Sequence, residues 1–204
     1  RKKLMVRLLV MSWLMSVGNF IVGNMFENGQ VVLSNNAFST FFVVGLLDCG
    51  WDQLVASLKG KSIIRFLKGL GFILLPVLLS LPVLIFGTLL GGESEISPIL
   101  SQFIAMLMLL IPNLFTIEGG IVMVMLGLLF YIFREHRILQ FLSILVIGFV
   151  ILFANPTNIQ WMMIFSIIPL YFYNGEKGRG DKYFFYIFYP THIYLLYILA
   201  SFLH

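Results

Sequence analysis

The amino-acid sequence predicts an all-α fold, a polytopic bundle of transmembrane helices that forms one integral membrane domain over residues 1–204. Hydrophobic residues make up 60% of the chain, charged residues only 11%, and the mean hydropathy is +0.99, far outside the range of soluble domains. The apolar residues also occur in runs near the roughly 20 residues that a helix needs to cross a bilayer. These runs lack the alternation of barrel strands, so helices must satisfy the backbone hydrogen bonds.

Apolar runs follow one another along the chain with no repeat or linker between them. They cover residues 4–25, 31–47, 69–90, 98–133, 138–154, 160–173 and 183–203. Most have the length of a single span. The run 98–133 is the exception, because as one helix it would measure about 54 Å. Pro112 and the pair Gly119 and Gly120 are expected to break it near its middle.

The positions of the basic residues predict how the chain crosses the membrane. All 13 of them fall within residues 1–7, 59–68, 134–137 and 177–182. Because Lys and Arg are retained on the cytoplasmic side, we expect these segments there, and we attribute the net charge of +4 to topology and not to nucleic-acid binding. The run 98–133 must then supply an odd number of crossings, namely one at 119–133 beside a broken or re-entrant segment at 98–115. The prediction is about seven crossings, with eight as the alternative.

Residues 51–69 mix apolar and basic side chains in the stretch WDQLVASLKGKSIIRFLKG. Such a mixture is typical of a helix that lies in the membrane interface, with its basic side chains in the headgroup region. We therefore predict a cytoplasmic interfacial helix, with a plain loop as the alternative.

Several polar side chains are predicted to share one layer inside the membrane. A rise of about 1.5 Å per residue places His192 about 15 Å deep, and Asn19, Asn35 and Asn36 about 18 Å deep. Because an uncompensated polar group in hydrocarbon costs several kcal/mol, we expect these side chains to face the bundle interior and one another. Structural hydrogen bonds between helices are one interpretation of the asparagines, and a polar pocket that they share with His192 is the other. For His192 we favour the second, because an ionisable group at this depth is a candidate functional residue. Pro190 supports this for His192, because a proline frees a backbone carbonyl and bends the helix.

Glu118 is predicted to lie close to the outer surface of the membrane. If residues 119–133 form one helix that reaches the inner face at Arg134, Glu118 lies about 24 Å from that face. One interpretation is that it begins a helix, where the helix dipole favours an acidic side chain. The other is that it lines the polar pocket as a catalytic base.

The loop YNGEKGRGDK, residues 173–182, is rich in glycine and in basic residues. It is either a solvated turn or a contact for phosphate groups. In the second interpretation the contacts come from Asn174, Gly175, Lys177, Arg179 and Lys182. The sequence contains neither a metal-ligand spacing nor a hydrolase motif, so we predict no metal site.

The loop and the helix after it resemble a known family. YNGEKGRG followed by KYFFYIFYPTH combines a Tyr-Asn-Gly loop with a helix that opens on aromatic residues and Tyr-Pro-x-His. This combination resembles the TraX family, named for the membrane enzyme that acetylates the amino terminus of F-type pilin. RKKLMVRLLVMSWL, NNAFSTFFVVGLL and EGGIVMVMLGLLFYIFR are similar to other helices of that family, so the resemblance spans most of the chain.

The resemblance implies an acetyltransferase of the bacterial cytoplasmic membrane, with its basic loops inside and acetyl-CoA as the donor. Tyr189, Pro190 and His192 would match the family's terminal motif, with His192 as the general base and the basic loop as the site of the coenzyme phosphates. The acceptor would be an amine or a hydroxyl, on a pilin amino terminus or a surface glycan. The family's first helix carries an Asp-His pair that these residues lack, so we expect the first helices of the protein to precede Arg1.

Two other functions stay open at this point. The protein could be a proton-coupled transporter or channel in which His192 relays protons or lines a pathway. The sequence shows no inverted repeat and no pair of broken helices, which disfavours a transporter. A membrane scaffold without catalytic activity is the third possibility.

Overall fold

The computed structural model describes residues 1–26, 33–91, 97–114, 117–176, 178, 180–181 and 183–203. Within these residues the chain is helical and contains no strand, which confirms the predicted all-α fold. The helices are α1 Lys2–Met25, α2 Ala37–Gly60, α3 Ile63–Gly91, α4 Pro98–Leu109, α5 Gly120–Ile132, α6 Arg137–Ala154, α7 Ile167–Phe172 and α8 Phe184–Leu203. A 3-10 helix at Ile159–Ser166 leads directly into α7.

Among the described residues, five helices are long and apolar enough to cross a membrane, judged by length and composition: α1, α2, α3, α6 and α8. The other two predicted crossings are shorter. Helix α5 has 13 residues, which corresponds to about 20 Å, and the 3-10 helix and α7 together form one apolar segment. A helical membrane bundle is therefore confirmed, and the count of seven crossings stays a prediction.

The interfacial helix predicted at residues 51–69 does not form as a separate element. Residues up to Gly60 continue α2, and α3 begins after a tight turn. In that turn Lys61 is left-handed, with φ of 45°, and donates its backbone N–H to the carbonyl of Ser57. The basic residues thus lie at the ends of two long helices, where their charged groups can reach water. Because α2 is longer than predicted, Asn36 lies about 36 Å from Gly60 along the helix axis.

The break predicted within residues 98–115 is present in the described part of that run. Helix α4 ends at Leu109, and residues 110–114 are not helical. Trp13 donates through Nε1 to the Leu110 carbonyl at 2.8 Å, and the Ser16 hydroxyl donates to the Leu109 carbonyl at 2.9 Å. Non-helical backbone is tolerated at membrane depth where protein covers it, and here α1 supplies that cover.

Helix α2 lies at the centre of the described bundle and contacts α1, α3 and α5. Glycines allow the closest approaches between these helices. A Cβ on Gly50 would lie 3.0 Å from the carbonyl oxygen of Gly69 in α3, and one on Gly127 in α5 would lie 2.8 Å from a methyl of Val44. Small residues let membrane helices approach closely and gain van der Waals contact. The close contact between α2 and α5 positions the site described below.

Two of the basic segments, 1–7 and 134–137, meet at one end of the bundle. The Arg1 guanidinium pairs with Asp52 and donates to the Tyr131 hydroxyl, which itself donates to Asp52 at 2.9 Å. The guanidinium carbon of Arg134 lies 4.7 Å from the centre of the Tyr131 ring. Arg137 donates to a backbone carbonyl of α7 at 3.0 Å. These contacts join helix ends that carry basic residues, as a common inside location requires, and the orientation in the membrane stays a prediction.

Candidate active site

A cluster of polar side chains lies where the start of α2, the turn before α5 and helix α8 meet. The Glu118 carboxylate accepts a hydrogen bond from the Asn35 amide at 2.9 Å and another from the Tyr189 hydroxyl. The backbone N–H of Ala37 donates to the Tyr189 oxygen at 3.0 Å. Because the phenol oxygen accepts from Ala37, its own O–H is left to point at the carboxylate. We call Glu118, Asn35 and Tyr189 the carboxylate cluster.

Aromatic packing holds Tyr189 in place. The Phe38 ring lies edge-on to the Tyr189 ring, with the ring centres 5.3 Å apart, and stacks on Tyr186 at 5.8 Å. Phe38 is itself buried. Edge-to-face and offset contacts of this kind add to the area that aromatic side chains bury, so the phenol keeps its direction toward Glu118.

Two glycines place Glu118 at the start of α5. Gly119 and Gly120 are left-handed, with φ of 75° and 64°, a conformation that glycine adopts without steric cost. A Cβ on Gly119 would lie 2.3 Å from Cγ of Met123. The N-cap of α5 is Gly119, with no side-chain cap bond. Glu118 therefore lies at the start of α5, as the helix-start interpretation expects, without capping the helix through its side chain. Its carboxylate bonds instead to groups from α8 and the segment before α2.

The predicted asparagines lie together, and they link α1 to the start of α2. Asn19 donates to the Asn35 carbonyl at 2.9 Å. Asn36 donates to the Ser12 carbonyl at 3.0 Å and to the Ser16 hydroxyl at 3.1 Å, and its Oδ1 caps the first turn of α2. The side chains of Asn19 and Asn36 thus make hydrogen bonds that join α1 to the start of α2, which is the structural role expected of them. Asn35 is the asparagine whose side chain enters the carboxylate cluster.

An apolar cleft of about 700 Å³ opens beside the carboxylate cluster, between α2 and α5. Its polar groups are gathered at one end, and the remaining length is apolar, lined by Phe41, Val44, Met123, Leu126, Gly127 and Phe130. Thr40 donates to the Glu118 carbonyl at 3.0 Å, and Gln160 donates to the Gly119 carbonyl at 3.3 Å, which fixes the polar end. An apolar cleft with a few convergent polar groups is the usual form of a ligand site.

His192 does not join the asparagines. Its Nδ1 lies 3.0 Å from the carbonyl oxygen of Phe188, on its own helix, and its ring stacks on Phe188 with the ring centres 5.0 Å apart. The ring also lies edge-on to Tyr189 at 5.5 Å. Helix α8 runs unbroken through Pro190, and the cavity that His192 lines is formed by α8 residues. The expectation that His192 shares a pocket with the asparagines is therefore wrong. Tyr189, from the same helix, enters the carboxylate cluster instead. The catalytic role of His192 stays a prediction.

Comparison with known protein families assigns the chain. The model of a family described as TraX protein matches residues 60–200. The chain belongs to the TraX family. The match includes Glu118 and the Tyr-Pro-x-His motif at Tyr189, Pro190 and His192, whereas Asn35 lies before the matched residues. No curated protein and no solved structure matches the chain.

The described part of the basic loop of this TraX family protein forms a local turn. Gly175 is left-handed, with φ of 81°. The Asn174 Oδ1 accepts the backbone N–H of Glu176 at 3.0 Å, and its amide donates to the Glu176 carboxylate at 3.2 Å. The basic members of the predicted phosphate contact lie outside the described residues: Lys177, Arg179 and Lys182. Coenzyme binding by this loop stays a prediction.

Sequence reasoning missed Thr40 and Gln160, which complete the polar end of the cleft. Thr40 lies four residues after Asn36, one turn further along α2, and this spacing is the signal that could have linked it to the polar cluster. Gln160 opens the last but one apolar run. A polar side chain at the start of an apolar run marks a helix end, and here the Gln160 amide donates to the Gly119 carbonyl at the start of α5.

Proposed function

We propose that this TraX family protein is a membrane-embedded acyltransferase, which moves an acetyl group from acetyl-CoA to an amine or hydroxyl acceptor. The observation that supports this is the Glu118 carboxylate, held by Tyr189 and Asn35 at the polar end of an apolar cleft. Acetyl transfer needs a group that takes the proton of the acceptor, and donors that stabilise the oxyanion of the tetrahedral intermediate. The carboxylate cluster contains both kinds of group.

In the proposed reaction, the acceptor nitrogen or oxygen attacks the thioester carbonyl carbon while the Glu118 carboxylate takes the acceptor's proton. The Asn35 amide has a second N–H besides the one that Glu118 accepts, and this N–H is the donor for the carbonyl oxygen as negative charge develops on it. The single O–H of Tyr189 is donated to Glu118 in this structure and turns to the carbonyl oxygen once Glu118 has taken the proton. The carbon–sulfur bond then breaks, and the coenzyme thiolate takes the proton from Glu118. The products are the acetylated acceptor and the coenzyme thiol.

Glu118 is assigned as the base in this proposal, in place of His192. Glu118 lines the cleft between α2 and α5, whereas His192 lines a separate cavity formed by residues of its own helix. His192 packs against the ring of Tyr189, so its assigned role is to position that ring. A pilin amino terminus and a surface glycan are the acceptors that the family resemblance suggests, and the cluster chemistry suits either one.

The test is transfer of radiolabelled acetyl from acetyl-CoA in membranes from bacteria that express the full chain, with the label counted in extracted proteins and glycans. Glu118→Gln keeps the size of the side chain and one acceptor oxygen, but its amide cannot take a proton and cannot accept both of the hydrogen bonds that the carboxylate accepts. Transfer should therefore fall by about 10² or more. His192→Gln is the matched comparison, and it should keep transfer within about tenfold of the unchanged protein.

Three outcomes would count against this proposal. Equal labelling by membranes with and without the chain would contradict acetyl transfer itself. Near-normal transfer by Glu118→Gln would remove Glu118 as the base. Loss of transfer in His192→Gln, together with its retention in Glu118→Gln, would return that role to the imidazole.

A further inference from the structure

A second cavity, of about 320 Å³, lies at the basic end of the bundle, between the last turns of α2 and the turn from α5 to α6. Charged and aromatic side chains line it, among them Asp52, Lys59, Tyr131, Arg134, Glu135 and His136. The reaction proposed above does not use this cavity. Its arginine and lysine are the side chains that bind phosphate in proteins.

Lys59 and Arg134 of this cavity form no ion pair with the described residues. Asp52 is already compensated, because it forms an ion pair with Arg1 and accepts the Tyr131 hydroxyl at 2.9 Å. Within the described ranges, neither Lys59 nor Arg134 has such a carboxylate partner, and both side chains are exposed. The Tyr131 ring lies 4.7 Å from the guanidinium carbon of Arg134 and holds it at the cavity.

The basic-end cavity and the apolar cleft lie along one seam between α2 and α5. On α2, Val44 lines the cleft while Asp52 and Lys59 line the basic-end cavity. Intervals of seven and eight residues keep these positions on one face of a helix. On α5, the adjacent Phe130 and Tyr131 line the cleft and the basic-end cavity respectively. A ligand in this seam would have a charged end near Lys59 and an apolar path toward the cleft.

Asp48 lies on the same face of α2 between Val44 and Asp52, one turn from each, and it lines neither cavity. Its Oδ1 is buried and has no hydrogen-bond partner among the described residues. An unpaired buried acceptor is costly. An amide N–H of an extended ligand in the seam would satisfy it, and the pantetheine arm of coenzyme A carries such amides.

We propose that the seam between α2 and α5 is the donor site of this protein. Lys59 and Arg134 contact the phosphates of a coenzyme A thioester, and the pantetheine arm passes Asp48 so that the thioester reaches Glu118. Helix α5, which joins Glu118 to Arg134, is about 20 Å long, the scale of an extended coenzyme. The inference rests on the acetyl transfer proposed above, and it moves the phosphate contact from the loop 173–182 to the ends of α2 and α5.

The first test measures binding of coenzyme A to the purified full chain in detergent by isothermal titration calorimetry. The double variant Lys59→Gln with Arg134→Gln removes two charge-assisted contacts, so its affinity should fall about 10- to 100-fold. The matched control, Arg65→Gln with Lys68→Gln, removes two cations from the start of α3 at the same end of the bundle. These residues lie outside the cavity, so the control should bind within about twofold of the unchanged protein.

The second test locates the sulfur end of the coenzyme. In a Cys49→Ser background, Met123→Cys puts a thiol beside Glu118, and Leu196→Cys puts one on the outward side of α8. The cysteine thiolate attacks the disulfide of oxidised coenzyme A, forms a mixed disulfide and releases one coenzyme thiolate. Mass spectrometry should find the adduct at position 123, with acetyl-CoA competing against it, and much less at position 196.

The outcomes separate this inference from the proposed function. If the unchanged chain binds no coenzyme A, acetyl transfer from this donor fails and the donor site fails with it. A second result would overturn the donor site alone. In that result the unchanged chain binds coenzyme A, and the variant with glutamine at Lys59 and Arg134 keeps the same affinity. A variant with glutamine at the three basic loop positions, Lys177, Arg179 and Lys182, then loses binding. Equal adducts at positions 123 and 196 would also overturn it.

Discussion

Helix α8 has two sides that satisfy their polar atoms in different ways. On the side toward α1 and α2, the Tyr189 hydroxyl bonds to a carboxylate from the turn before α5, and the Tyr194 hydroxyl donates to a backbone carbonyl of α1 at 3.2 Å. On the outward side, His192 bonds to a carbonyl of its own helix. Its neighbours there stay open to the surroundings, with Phe184 56% and Phe188 49% exposed.

This difference shows that a polar side chain in a membrane helix does not have to face the bundle interior. The phenol oxygens of Tyr189 and Tyr194 stand too far from their own backbone to bond to it, so they need partners from other segments. The imidazole of His192 is shorter and reaches the carbonyl four residues earlier, as serine and threonine side chains also do. An ionisable group can thus be satisfied locally, and depth alone did not identify the face that carries the site.

Tyr189→Phe should have the largest effect on stability among the α8 variants. The change removes the hydroxyl between Glu118 and the Ala37 N–H, and it leaves both groups without that partner. We expect the free energy of unfolding to fall by about 1–3 kcal/mol, measured by denaturation in mild detergent. Tyr171→Phe is the control, because Tyr171 is 68% exposed on α7. An equal loss in both variants would mean that the carboxylate cluster adds no stability.

Tyr194→Phe should cost less. Its hydroxyl donates to the Met15 carbonyl, a group that lies within α1 and keeps its place in the helical ladder. A single hydrogen bond between membrane helices contributes about 0.6 kcal/mol on average, and we expect a loss of that size in the same denaturation measurement. If the loss exceeded that of Tyr189→Phe, the link between α8 and α1 would outweigh the carboxylate cluster.

His192→Leu should have the smallest effect on stability. The imidazole lies on the outward side of α8 with a local partner, so leucine replaces it beside other apolar side chains. The free energy of unfolding should stay within about 0.5 kcal/mol of the unchanged protein. A loss above about 1.5 kcal/mol would show that His192 makes contacts across the bundle, and the two sides of α8 would then not differ as described.

The sequence predicted the helical class, the break after α4 and the family, and it identified five of the polar residues that bond to one another or to α1: Asn19, Asn35, Asn36, Glu118 and Tyr189. Glu118, Asn35 and Tyr189 were all candidates, yet the sequence did not show that they bond to one another. Glu118 and Asn35 are 83 residues apart along the chain, and Glu118 and Tyr189 are 71 apart. The prediction for residues 51–69 failed because basic residues mark the water boundary equally well at the ends of two long helices.

The sequence by itself determined that this chain is a helical membrane protein and where its polar residues lie along each helix. Hydropathy, helix breakers and motifs are local properties, and a local pattern is enough to read them. Only the tertiary structure decided that Tyr189 and not His192 meets Glu118. That outcome depends on how α8 is rotated about its axis and on how closely α5 approaches α2 at Gly127, and both follow from packing between segments far apart in the chain.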